Sequence, residues 1–236
     1  MHARSGGLRT ALCVSALLLV AAAAGAFLLA DDAAGERAPT VAVVGDSLAW
    51  QADASIGDAL SHAGYVAQVS VNPGHALSSP WAQSELKKDL RDMAVGIIVL
   101  ETASNDSIQV ARSKVPVSRY SELLESLLQA ARGRCVVVVD AKVDVTPFYY
   151  EPADALAVNR VGSELAVRNS DERIVDWNQE AEAHPSWFDA DHLHFTSRTP
   201  SATSASDPPP SEQTAGAKAF AQAIVAGVQS CRDLPS

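Results

Sequence analysis

Five short apolar runs punctuate the chain: TVAVVG at 40–45, YVAQVSV at 65–71, VGIIVL at 95–100, CVVVVD at 135–140 and RIVDW at 173–177. Runs of Val, Ile and Leu of this kind are what strands covered on both faces look like. Between them, apolar residues recur every three or four positions, as on one face of a helix. Leu48, Ala52, Ile56 and Leu60 make one stripe. Tyr120, Leu123, Leu124, Leu127, Leu128 and Ala131 make a second, with Gly133 just beyond. A third runs over about 152–169, and the last carries Ala217, Phe220, Ala221, Ile224 and Val228. Strand and helix in alternation predict an α/β fold, a three-layer α/β/α sandwich around a mainly parallel five-stranded sheet. Its site is expected at the strands' C-terminal edge.

Two stretches break this order. Residues 197–212, SRTPSATSASDPPPSE, are too rich in Ser, Thr and Pro for regular structure and read as a flexible insertion. At the N-terminus, Arg4 and Arg9 precede an uncharged apolar stretch of 21 residues, Thr10 to Ala30, closed by Asp31 and Asp32. That length crosses a bilayer as a helix, and the basic flank would stay in the cytoplasm. Ala24-Gly25-Ala26 also has the form of a signal-peptide cleavage site. Cutting there would leave Phe27, Leu28 and Leu29 exposed, which favours an uncleaved anchor, though both readings stay open. Residues 1–30 are thus an anchor or signal and 31–39 a linker, placing the domain of residues 40–236 outside the cytoplasm.

The chain of 236 residues, 47% apolar and 19% charged, suits one substantial core. A net charge of −10, with no dense Lys/Arg cluster, leaves no footprint for nucleic acid. Disulfides persist outside the cytoplasm, and Cys135 and Cys231 are the cysteines of the external part. Cys135 opens a strand and Cys231 closes the last helix. In a parallel α/β domain those two places share one edge of the sheet, so a Cys135–Cys231 disulfide is expected.

Polar turns follow the first three strands. Gly45-Asp46-Ser47 offers a hydroxyl where sites form, although Asp and Ser there equally suit a helix cap. In NPGHAL, residues 72–77, Gly74 can bring a bare N–H close to a ligand. In ASNDS, residues 103–107, Asn105 could aim an amide at developing negative charge or simply make an Asx-turn. Near the end, WFDADHLHFT, residues 187–196, twice places an acid three residues before a histidine: Asp189 with His192, and Asp191 with His194. That spacing can set a carboxylate against an imidazole N–H and fix its tautomer.

Taken in order, these four blocks resemble those of the SGNH hydrolases, or GDSL-type esterases, over most of residues 40–230. The resemblance implies a flavodoxin-like sheet and a serine esterase mechanism needing no metal or organic cofactor. It places the nucleophile on Ser47, the base on His194 and its orienting acid on Asp191, favoured over the Asp189–His192 register. The oxyanion would be held by the Ser47 and Gly74 N–H groups and the Asn105 amide. Two positions depart from the family pattern: Ala103 stands where the third block usually has glycine, and His192 where the last one does. The stretch from Val175 to Thr196 looks most like members from bacterial cell envelopes. The expected substrate is therefore an O-acyl, notably acetyl, ester of an envelope glycan or lipid. An O-acyltransferase to a wall polysaccharide using the same residues, or an inactive envelope-binding module, are the alternatives. Trp50, Trp81 and Trp187 could line a pocket or pack in the core, and His75 and His184 are expected to be ordinary polar residues.

Overall fold

Each apolar run becomes a strand. The computed structural model describes residues 38–112, 115–196 and 214–233. Strands β1 (Thr40–Gly45), β2 (Val66–Val71), β3 (Val95–Glu101), β4 (Cys135–Val139) and β5 (Glu172–Val175) form one sheet in the order β2-β1-β3-β4-β5. Every pairing is parallel, so the sheet is wholly rather than mainly so. Among the described residues, seven α-helices connect and cover the strands: α1 (Ser47–His62), α2 (Pro80–Arg91), α3 (Ala103–Ala111), α4 (Val117–Ala130), α5 (Pro152–Arg168), α6 (Trp177–Ala183) and α7 (Ala215–Gln229).

The strand order reverses between β1 and β3. Right-handed crossovers therefore send α1 to one face and α4 and α5 to the other. Helix α7 packs beside α1, while α3 and α4 pack against α5. The sheet between them is dry: Val41 to Val44, Ile98 to Leu100 and Val136 to Val139 are buried. The C-terminal ends of β1 and β3 diverge at the reversal and open the crevice where sites of such folds form.

Three helices were not legible as apolar stripes. In α2, Ser79 caps with its hydroxyl and Pro80 fills the first turn, but only Ala82, Leu86 and Asp89 are buried. Helix α3 opens on the polar ASNDS stretch, all of it buried against the crevice rather than solvated in a turn. The fifth strand stops at Val175, two residues before its expected end. There the Asp176 carboxylate accepts the Gln179 N–H at 3.0 Å and starts α6, so Trp177 is a fully buried helical residue.

Cys135 and Cys231 form a disulfide with Cα atoms 5.8 Å apart. It ties the first residue of β4 to the turn just after α7, the shared edge expected from the topology. The N-terminal segment 1–30, most of the linker and the 197–212 insertion lie outside the described residues. Among the described residues no helix is long and apolar enough to cross a membrane.

Candidate active site

Strand β1 ends at Gly45, where the chain runs too close to its neighbours for a side chain. A Cβ on Gly45 would sit 2.3 Å from the Ala49 Cβ and 3.1 Å from Glu101 Oε2. Asp46, not Ser47, caps α1: its Oδ1 accepts the Leu48 N–H at 3.0 Å. Glu101 Oε2 takes the Ala49 N–H at 3.2 Å, and the Asp46 carbonyl takes that of Trp50 at 2.9 Å. None of these acceptors takes the Ser47 N–H, which stays in the positively polarised first turn of the helix.

Beneath this turn lies a pair of buried carboxyls. Glu101, the neighbour of Gly45 across the ladder, accepts the Asp46 N–H at 3.1 Å. Burial, and then the charge of Asp46, push the Glu101 carboxyl well above the usual range. Burial also raises Asp46, against the Leu48 N–H and the Asn105 amide, which favour its charged form.

Asn105 stands in the first turn of α3, with its amide donating to Asp46 Oδ2 at 2.8 Å. An amide carries two hydrogens, so one remains for the crevice. Ala103, which opens this helix, needs no glycine: among the described residues His192 is the one non-glycine with positive φ. Gly74 does need its freedom, at φ +79°. The turn that carries it is tied to α3 by Asp106, whose Oδ1 accepts the Leu77 N–H at 3.0 Å and whose Oδ2 accepts the Thr102 hydroxyl at 2.8 Å. Burial pushes the Asp106 carboxyl up to about 8.

The last block folds as a tight loop. Phe188 and Phe195 bridge antiparallel, and the Asp189 N–H donates to the His194 carbonyl at 2.8 Å. Phe188, Leu193 and Phe195 are buried, the two phenylalanines against Trp177. Gln51 of α1 anchors the loop by accepting the Phe195 N–H at 3.0 Å. At its tip His192 adopts φ +60°, the conformation for which glycine is the usual residue. Its ring is turned outward, 57% exposed and 3.9 Å from Asp144.

Of the two Asp–His registers, the loop thus brings Asp191 and His194 to Ser47. His194 Nε2 lies 3.0 Å from Ser47 Oγ, and its Nδ1 lies 2.7 Å from Asp191 Oδ2. Asp191 Oδ1 accepts the backbone N–H groups of Leu193 and His194, each at 3.0 Å. Burial works to raise the Asp191 carboxyl, but the imidazole and the two backbone donors outweigh it and hold it well below the usual range. A carboxylate so held selects the imidazole tautomer with its proton on Nδ1 and leaves Nε2 to accept from the serine hydroxyl.

Ser47, Gly74, Asn105 and His194 all line one cavity of about 420 Å³, with walls from Trp50, Ile108, Tyr149 and Leu193. Trp81 and Trp187 are not among its lining residues. Trp81 instead meets His75 at a tilt of 47°, with ring centroids 5.3 Å apart, and Trp187 stacks on His184 with centroids 4.0 Å apart. Among the described residues no cluster of three or more His, Cys, Asp or Glu could hold a metal ion. Sequence reading missed Gln51, Tyr149 and Glu101. For Glu101 a signal existed: an acid closing an otherwise apolar buried strand. Tyr149 had none, since it lies in an irregular segment with no recognisable motif.

A doubly wound parallel sheet with these elements at its reversal point is the fold of the SGNH, or GDSL-type, hydrolases. The solved structures it resembles include the C-terminal catalytic domain of peptidoglycan O-acetyltransferase A from Streptococcus pneumoniae. That domain is 22% identical, covering 85% of this chain and 98% of its own, at a TM-score of 0.59. A lipase/acylhydrolase from Enterococcus faecalis is 13% identical over 81% of this chain and 95% of its own, at a TM-score of 0.60. A family 3 carbohydrate esterase from Clostridium thermocellum is 14% identical over 84% and 100%, at a TM-score of 0.59. No protein-family model matches this sequence, and no curated protein matches it in a sequence search.

Proposed function

We propose that the protein is a serine esterase that hydrolyses O-acyl esters, acetyl esters of a cell-envelope glycan or lipid foremost. The single observation that carries this reading is the hydrogen-bonded line Ser47–His194–Asp191 on the wall of a cavity that also receives Asn105 and Gly74. Ser47 Oγ attacks the ester carbonyl while His194 Nε2 takes its proton. Negative charge gathers on the carbonyl oxygen, where the Ser47 and Gly74 N–H groups and the free hydrogen of the Asn105 amide stabilise it. As that tetrahedral adduct collapses, the imidazolium returns the proton to the leaving alcohol. Water then repeats the cycle on the acyl-Ser47 and frees the acid. Asp191 keeps the imidazole in the required tautomer and stabilises its charged form.

The external location rests on residues 1–30, read as an anchor or signal, and on the disulfide, which suits an oxidising compartment; the envelope substrate adds to these the likeness of Val175 to Thr196 to envelope members of the family. A second reading, transfer of the acyl group from Ser47 to a sugar hydroxyl, draws support from the likeness to an O-acetyltransferase domain. It differs only in the acceptor that reaches the acyl-enzyme.

The test is hydrolysis of p-nitrophenyl acetate and longer esters by the wild type, Ser47→Ala, His194→Ala and His192→Ala. The expected result is loss with the first two variants and near-normal rates with the third. Wild-type activity that survives Ser47→Ala would refute the mechanism. Acylation of Ser47 that water fails to reverse, but an added glycan does, would favour transfer.

A further inference from the structure

Tyr149 belongs to none of the blocks that suggested the site, yet it touches its acid directly. Its hydroxyl donates to Asp191 Oδ2 at 3.1 Å, the same oxygen that His194 Nδ1 approaches at 2.7 Å. The tyrosine ring meets the imidazole edge-on, with centroids 5.8 Å apart and planes at 70°. The segment that carries it is fastened at the same place, because the Thr146 N–H donates to the Asp191 carbonyl at 3.1 Å. Burial, followed by the Asp191 charge and hydrogen bond, pushes the Tyr149 hydroxyl up to about 12, so it remains a donor at every working pH.

We propose that Tyr149 is a positioning residue for the Asp191–His194 pair, and that its hydrogen bond to Asp191 sets the pH at which His194 gains or loses its proton. Two donors share one carboxylate oxygen. The phenol draws off part of the charge that would otherwise stabilise the imidazolium, so it keeps His194 neutral, and able to act as a base, to lower pH. The other groups facing His194 do not duplicate this. Ser47 from α1 is uncharged, and Asp46, in the turn before α1, acts in the opposite sense by favouring the imidazolium. Asp189 lines the same cavity, and no Lys or Arg is among the cavity's lining residues. The role in turnover rests on the esterase reading, but the effect on His194 does not.

The experiment is a pH titration of the 15N-histidine-labelled protein by NMR, wild type beside Tyr149→Phe, with His194 assigned by the loss of its signals in His194→Gln. Phenylalanine keeps the ring and the cavity wall and removes only the hydroxyl. The His194 midpoint is expected to rise by about 0.5–1 unit in Tyr149→Phe, while His184, stacked on Trp187 away from the cavity, keeps the same midpoint in both proteins. In parallel, the acid limb of kcat/KM for p-nitrophenyl acetate should move up by the same interval with KM little changed. A purely structural role would leave both midpoints and limb in place, and coincident His194 midpoints would overturn the proposal. A wild type with no Ser47-dependent hydrolysis but displaced midpoints would refute the esterase reading and leave Tyr149 standing. Hydrolysis with coincident midpoints would do the reverse.

Discussion

Replacing Asn105 by alanine removes two interactions made by one amide. The first points into the cavity, where a hydrogen on Asn105 would meet the oxyanion. Losing one such donor costs about 100- to 1000-fold in kcat, or about 2.7–4 kcal/mol of transition-state stabilisation. The second is the 2.8 Å bond to Asp46 Oδ2. Asp46 is buried, and after the change the Leu48 N–H is the remaining backbone donor to its side chain. Leaving a buried acceptor short of a partner costs about 1–3 kcal/mol of stability. The two losses are read separately, kcat and KM on p-nitrophenyl acetate for the first and urea unfolding for the second. If the amide acts on developing charge, kcat falls with KM nearly constant, because the ground-state carbonyl barely feels it. A folded Asn105→Ala protein whose kcat stays within about fivefold of wild type would refute the oxyanion role. A rise in KM at unchanged kcat would mean that Asn105 binds substrate instead.

Two expectations concern stability. The Cys135–Cys231 bridge closes a loop with a sequence separation of 96, for which the chain-entropy relation gives about 4–5 kcal/mol. The Cys135→Ala/Cys231→Ala protein should lose that order of stability in urea unfolding, and a loss under about 1 kcal/mol would count against the entropic account. Glu172 is buried with both carboxyl oxygens unpartnered among the described residues. Burial, partly offset by Arg168, pushes its carboxyl up from 4.5 to about 7. The folded protein therefore keeps a proton that the unfolded chain releases, and stability falls as pH rises from about 4.5 to about 7. In Glu172→Gln that part of the decline disappears, leaving a shallower fall of Tm over this range. Asp140 and Asp106, raised to about 7 and about 8, maintain the rest of the slope. Equal slopes in the two proteins would show that Glu172 does not titrate between the folded and unfolded states.

The sheet was legible from the chain because a strand covered on both faces must be apolar at nearly every position, and β1, β3 and β4 are. The amphipathic helices α1, α4, α5 and α7 were legible for the related reason that each buries one face. Helices α2, α3 and α6 escaped, since their ends are set by caps and short polar turns rather than by an apolar stripe. Ser47, Gly74 and Asn105 could be singled out in sequence because each follows a strand, and the ends of parallel strands meet at one edge whatever the detailed packing. The pairing of Cys135 with Cys231 was readable on the same topological ground.

What the sequence left open was decided by contacts between distant segments. Two Asp–His pairs share one loop, and their spacing alone does not choose between them, although the family pattern favours Asp191 with His194. The burial of Phe188, Leu193 and Phe195, and the tie from Gln51, orient the loop so that His194 faces Ser47 and His192 faces solvent. Glu101 lies beneath the Ser47 turn only because β1 and β3 pair in the register Gly45↔Glu101. Tyr149, on a segment without regular structure, meets Asp191 from 42 residues away in the chain. Periodicity and local motifs carry the energetics of burial and capping, which act over a few residues. The alignment of a proton path depends on sub-ångström packing between segments far apart in the chain, and only the folded structure contains it.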